Sequence, residues 1–158
     1  PMLNIFGGKI TTYRRLSESA MEKIGAYFPN LPGPWTAGVA LPCGDFPVNG
    51  VPTLIADLAR DYPFLTPAWA RRMVRAYGTE ARAVLGDART VADLGGAFGA
   101  TLTAREVEWL MDREYARRAE DVVWRRNKLG LRMTPSEVAA LEAWMRARIP
   151  AHGTTTAG

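Results

Sequence analysis

The chain has 158 residues, 47% of them hydrophobic and 23% charged, with a formal net charge of +4. That is enough for one respectable core with a small appendage, and it is an ordinary globular balance. No run of about 18 apolar residues occurs, which excludes a spanning helix, and a single cysteine, Cys43, excludes an internal disulfide and points to a reducing compartment.

Met2–Phe6 has the composition of a short strand, and it breaks at Gly7-Gly8. Lys9-Ile10-Thr11-Thr12 follows, and then Leu16, Ala20 and Ile24 recur every four residues, one face of a helix. Such a joint brings backbone N–H groups and an ammonium towards an anion, with Thr11 or Thr12 as helix cap. It is not a Walker A loop, because Leu3 stands where that loop needs glycine and Ile10 follows the lysine. A lone strand needs a sheet, and the rest of the chain offers no obvious partner strands. Residues 1–28 are therefore expected to be the torn edge of a larger domain. With no initiator Met, the chain is expected to be a processed, excised or tagged-and-cleaved fragment.

Residues 29–52 are punctuated by prolines and glycines and read as a long ordered connection marking a domain boundary. Leu54, Ile55 and Leu58 predict a short helix ending before Tyr62-Pro63. Thr66-Pro67 predicts the next start and Gly78 its end. Thr79 is the expected cap of a further short helix that stops at Gly86. Gly95, Gly96 and Gly99 mark an irregular stretch. Thr103–Glu106 and Thr134–Glu137 both read as capping boxes. The first opens a helix carrying Val107, Leu110 and Met111, which either runs to Arg126 or breaks near Ala119. The second opens a helix ending at Pro150. The tail 151–158 is small and polar, as disordered ends are. The expected fold is mainly α: a compact bundle of about five or six short helices over 53–150, preceded by a strand–Gly-Gly-Lys–helix remnant.

The chain offers little chemistry of its own. Its only histidine, His152, falls in the tail, and Cys43 has no histidine to activate it. Metal-ligand spacing is absent, and pairs such as Glu106/Glu108 read as solvated carboxylates. The five tryptophans (35, 69, 109, 124 and 144) suit packing better than a stacking platform. Seven bases face four acids in residues 112–132, which suits a solvated helix face. No motif supports nucleic-acid binding.

Taken jointly, the motifs resemble the C-terminal end of the FAD-dependent, respiratory glycerol-3-phosphate dehydrogenases. Phe6-Gly7-Gly8-Lys9-Ile10-Thr11-Thr12-Tyr13-Arg14 is close to that family's F-G-G-K-L-T-T-Y-R. Leu41-Pro42, Tyr62-Pro63-Phe64-Leu65, Tyr77-Gly78, Val91–Gly95 and Phe98-Gly99 continue the likeness. Glu114–Arg126, read as helical, and Asn127–Leu131 are its most specific portion. Two departures stand out: the family tends to have glycine where Cys43 sits, and threonine at Asn127. The first is expected to loosen a turn and the second a polar contact.

The resemblance implies a parent that oxidises sn-glycerol 3-phosphate to dihydroxyacetone phosphate, with FAD as cofactor and a membrane quinone as electron acceptor. It implies a bacterial, usually homodimeric enzyme, cytoplasmic and peripheral on the inner membrane. Gly7, Gly8, Lys9 and Thr11 match the segment that runs along the flavin. Lys9 would be catalytic, standing near the isoalloxazine, where a cation stabilises the reduced, anionic flavin and helps to orient substrate. The fragment alone is expected neither to retain FAD nor to catalyse. The alternative is a non-catalytic interaction module, presenting Arg125, Arg126 and Lys128 to another domain, a second copy, acidic protein or an anionic membrane surface.

Overall fold

The computed structural model describes residues 2–28 and 30–149. The expected stop at Pro150, the tail and His152 lie outside the described residues. Contacts divide the chain into two units, Pro1–Leu41 and Pro42–Gly158. The stretch expected as one connection over 29–52 is thus shared between them.

The first unit is built on α1 (Tyr13–Ile24), entered through a single 3-10 turn, Ile10–Thr12, and left through another, Gly25–Tyr27. Leu16, Ala20 and Ile24 are partly covered, as their spacing requires. Arg14 Nη1 reaches Glu18 Oε1 at 3.0 Å and Thr36 Oγ1 at 3.3 Å. Thr36 also donates to Glu18, so residues 31–36 lie back along the helix. Met2–Phe6 forms no strand. Extended backbone becomes a strand only against a ladder partner, and the one sheet among the described residues pairs β1 with β2.

The second unit holds the core. Its helices are α2 (Val51–Asp61), α3 (Pro67–Tyr77), α4 (Ala81–Leu85), α5 (Ala104–Arg113) and α6 (Pro135–Arg146). Pro52 stands in the first turn of α2, where its missing N–H would be unpaired in any case. Thr66 Oγ1 accepts from the Trp69 N–H at 3.3 Å and caps α3, which ends at Gly78 with φ +47°. Leu58, Met73, Leu94, Leu102, Leu110, Leu141 and Met145 are almost fully buried. Each contributes on the order of 2 kcal/mol of apolar burial.

Three local features depart from the expectations. The irregular stretch contains a small antiparallel hairpin, β1 (Ala97–Gly99) and β2 (Leu102–Thr103). Its two turn residues, Ala100 and Thr101, have φ +47° and +69°. Left-handed geometry at both turn positions matches the right-handed twist of a hairpin, though glycine or asparagine normally supplies it. Secondly, α5 ends at Arg113, earlier than either expected end, and residues 114–118 are not helical. Tyr115 takes φ +57° and the Ala116 N–H returns to the Leu110 carbonyl at 3.0 Å. The backbone then winds into a π-helical segment, Asp121–Arg126. Thirdly, Thr79 caps no helix: its N–H donates to the Cys43 carbonyl at 3.1 Å, and α4 starts from Glu80 without a side-chain cap.

Candidate functional site

The Gly-Gly-Lys joint is fully exposed in the first unit. Gly7 and Gly8 have φ +106° and +148°. A Cβ at either would meet nothing within 4 Å, so backbone conformation, not crowding, requires glycine there. Lys9 is extended (φ −71°, ψ 131°) and leads into the turn. Its carbonyl accepts the Thr12 N–H at 3.0 Å and the Thr12 hydroxyl at 3.2 Å. Neither threonine therefore caps α1: Thr12 turns back as a donor, and Thr11 is left exposed. Two successive bare backbone positions, a lysine and a helix start fit the edge of an extended anionic cofactor such as FAD, which needs close backbone approach and positive potential.

The second unit contains a buried polar cluster that sequence reasoning missed. Glu106 is 1% exposed. Arg72 grips both its oxygens, each at 2.7 Å, and the Tyr77 hydroxyl donates to Oε1 at 2.7 Å. Arg72 also donates to Thr101 Oγ1 (3.0 Å) and to the Thr101 carbonyl (3.1 Å). Glu106 is thus no capping-box partner: Thr103 makes no side-chain cap bond. The available signal was its place four residues before Leu110, on the apolar face of α5. Burial, helped by the charge and hydrogen bond of Glu106, pushes the Tyr77 phenol far above its ordinary range. Burial alone would lower the Arg72 guanidinium, but the hydrogen bond and charge of Glu106 outweigh it and raise it. With every partner committed, the cluster is a brace between α3, α5 and the hairpin.

Cys43 sits at φ +69° and donates through Sγ to Glu80 Oε2 at 2.9 Å. Burial first, then the hydrogen bond and charge of Glu80 and the charge of Glu114, push the thiol up to about 11. It is protonated at neutral pH, which suits no nucleophile.

The cations expected to face a partner are occupied. Arg126 Nε donates to the Glu114 carbonyl at 3.0 Å. Arg125 pairs with Glu120 at 3.2 Å and Asp121 at 3.4 Å. Lys128 donates to the Trp124 carbonyl. Trp69 is core and Trp144 packs edge-on against Phe98 with ring centroids 5.2 Å apart, whereas Trp35 and Trp124 are 60% and 41% exposed. No group of three or more potential metal ligands occurs among the described residues.

The chain belongs to the family described as the C-terminal domain of alpha-glycerophosphate oxidase, whose model matches residues 35–152. It is 42% identical over 150 residues to a glycerol-3-phosphate dehydrogenase of Pseudomonas aeruginosa, covering 95% of this chain and 29% of the relative. The aerobic glycerol-3-phosphate dehydrogenase of Escherichia coli is 40% identical over 145 residues, covering 92% of this chain and 29% of the relative. A D-erythritol 1-phosphate dehydrogenase of Brucella abortus is 37% identical over 144 residues, with 91% and 29% covered. The chain thus spans 29% of the length of these relatives.

Proposed function

We propose that the chain is the C-terminal portion of a flavoenzyme that oxidises sn-glycerol 3-phosphate to dihydroxyacetone phosphate and passes the electrons to quinone. The carrying observation is 40–42% identity over 92–95% of the chain to two glycerol-3-phosphate dehydrogenases. In this reading the enzyme is a homodimer, peripheral on the cytoplasmic face of the inner membrane.

Gly7 and Gly8 would let backbone lie against FAD, with Thr11 beside it and the Lys9 ammonium at the reacting edge. FAD, when bound, supplies the acceptor for the hydride equivalent. Lys9 would hold the substrate phosphate or alcohol in register and offer positive potential where negative charge develops. Thr12, by holding the Lys9 carbonyl at 3.0 and 3.2 Å, would fix the direction in which that lysine leaves the backbone.

The test is Lys9→Ala at the matching position of the full-length enzyme, measuring flavin content and then oxidation of glycerol 3-phosphate with a quinone analogue. Retained flavin with turnover down about a hundredfold or more supports the assignment, that being the scale of losing one electrostatic stabiliser. Unchanged turnover would leave the joint a plain turn. Running D-erythritol 1-phosphate in parallel decides which phosphorylated polyol is preferred. The isolated 158-residue chain should purify colourless, and a flavin absorbance band would contradict that expectation.

The second reading, an interaction module working through Arg125, Arg126 and Lys128, has less to rest on, because each of these cations already has an internal partner. Salt-sensitive co-sedimentation with anionic vesicles, lost on Arg125→Ala/Arg126→Ala, would revive it.

A further inference from the structure

We propose that the cleft between α2 and α3 docks an acidic protein segment that presents an aliphatic side chain between carboxylates. The cleft has a volume of about 350 Å³ and is lined by Val51, Pro52, Ile55, Arg71 and Arg75. That is the low end of the roughly 300–1,000 Å³ of small-molecule sites, and it is open, which suits a side chain on a passing backbone.

The charge argument is specific to this helix. The sequence of α3 carries Arg71, Arg72 and Arg75 and no acid. Arg72 is neutralised by Glu106. Ion pairs among the described residues leave out both Arg71 and Arg75. The acids of α2 are no help, since Asp57 is held by Arg60 and Asp61 by Arg60 and Arg82. Two like charges four apart on a helix repel each other mildly, and here both line one cleft. Its apolar floor, the partly exposed Val51 and Ile55 with Pro52, is what separates this site from a simple anion site. Carboxylates would bridge the guanidiniums, which accept them in forked geometry, while an aliphatic group covers the floor.

The probe is a blocked peptide alternating glutamate and leucine, titrated into the isotope-labelled 158-residue chain and followed by amide chemical shifts. Expected are saturable shifts grouped at residues 51–55 and 71–75, with affinity falling about fivefold in Arg71→Gln/Arg75→Gln, the scale of two exposed ion pairs. Glutamine keeps helix propensity, and an unchanged amide spectrum elsewhere verifies the fold of the variant. The glutamine counterpart of the peptide should bind several-fold more weakly. Scattered shifts, an unaffected double variant, or an equal response to inorganic phosphate at the same residues would each overturn the proposal. Because this site shares no residue with the Gly-Gly-Lys joint, its failure would leave the flavoenzyme assignment standing.

Discussion

The Cys43 carbonyl oxygen stands 1.9 Å from where a Cβ on Gly78 would be placed. It also accepts the neighbouring Thr79 N–H at 3.1 Å. The end of α3 is thus closed on the segment entering the second unit, and only a residue without a side chain permits it. Gly78→Ala must break this contact and strain φ +47°. The expected loss is about 3 kcal/mol or more, read as a fall in the urea midpoint.

Cys43 occupies a left-handed position where its likeness to the dehydrogenases led us to expect glycine. The thiol there is tied to Glu80. Cys43→Gly relieves the left-handed strain but adds the entropy glycine loses and gives up the Glu80 hydrogen bond, so stability at neutral pH should change by no more than about 0.5 kcal/mol. The pH dependence supplies a second readout. The thiol holds its proton more tightly folded, at about 11 against an ordinary 9.0. Its contribution is therefore complete below about pH 9 and is lost as pH rises towards 11. Urea unfolding at pH 8 and pH 10.5 should show that decline in the parent chain and a smaller one in the glycine variant. Iodoacetamide should alkylate the folded thiol far more slowly than the unfolded one at pH 8.

Arg72→Met leaves the Glu106 carboxylate buried without its cation, and the expected cost is about 3–5 kcal/mol. Tyr77→Phe removes one hydrogen bond to the same carboxylate and should cost about 1–2 kcal/mol. Equilibrium unfolding of both, with the Arg72→Met/Glu106→Leu pair, separates a lost attraction from a stranded charge. The double substitution should recover much of the single loss.

Asn127 Oδ1 accepts the Leu129 N–H at 3.0 Å, while Nδ2 is buried with no partner. Threonine, the residue expected here from the likeness to the dehydrogenases, keeps an acceptor and replaces the orphan amide N–H donors with one rotatable O–H. Asn127→Thr should add about 1 kcal/mol, seen as a raised urea midpoint at unchanged slope. A lowered midpoint would show that the Asn127 amide has a partner in solution.

Where an element announced itself within its own few residues, the sequence was a good guide. Thr66-Pro67 with Gly78, and Thr134 with Glu137, are completed locally. The Thr134 N–H finds Glu137 Oε2 at 2.7 Å. Thr103–Glu106 spells the same box, yet Arg72 and Tyr77, 34 and 29 residues away, claim the glutamate. The hairpin was hidden because Ala100-Thr101 is poor turn chemistry, and Arg72 holds Thr101 in place from outside. No glycine or proline marks the end of α5, where Tyr115 takes the left-handed position instead. The Gly-Gly-Lys joint was legible as a motif because its two positive-φ glycines, Gly7 and Gly8, are adjacent in the chain.

Arg126 reaches back twelve residues to the Glu114 carbonyl, and the Asp121 carboxylate accepts the Arg117 and Arg118 N–H groups at 3.0 Å each. The first tie latches the two ends of the 114–126 segment to each other, and the others close the turn inside it. A stretch closed on itself cannot fray residue by residue. Its amides should exchange with solvent in a single opening event, at one shared rate, and cutting the Arg126 latch should release them all together.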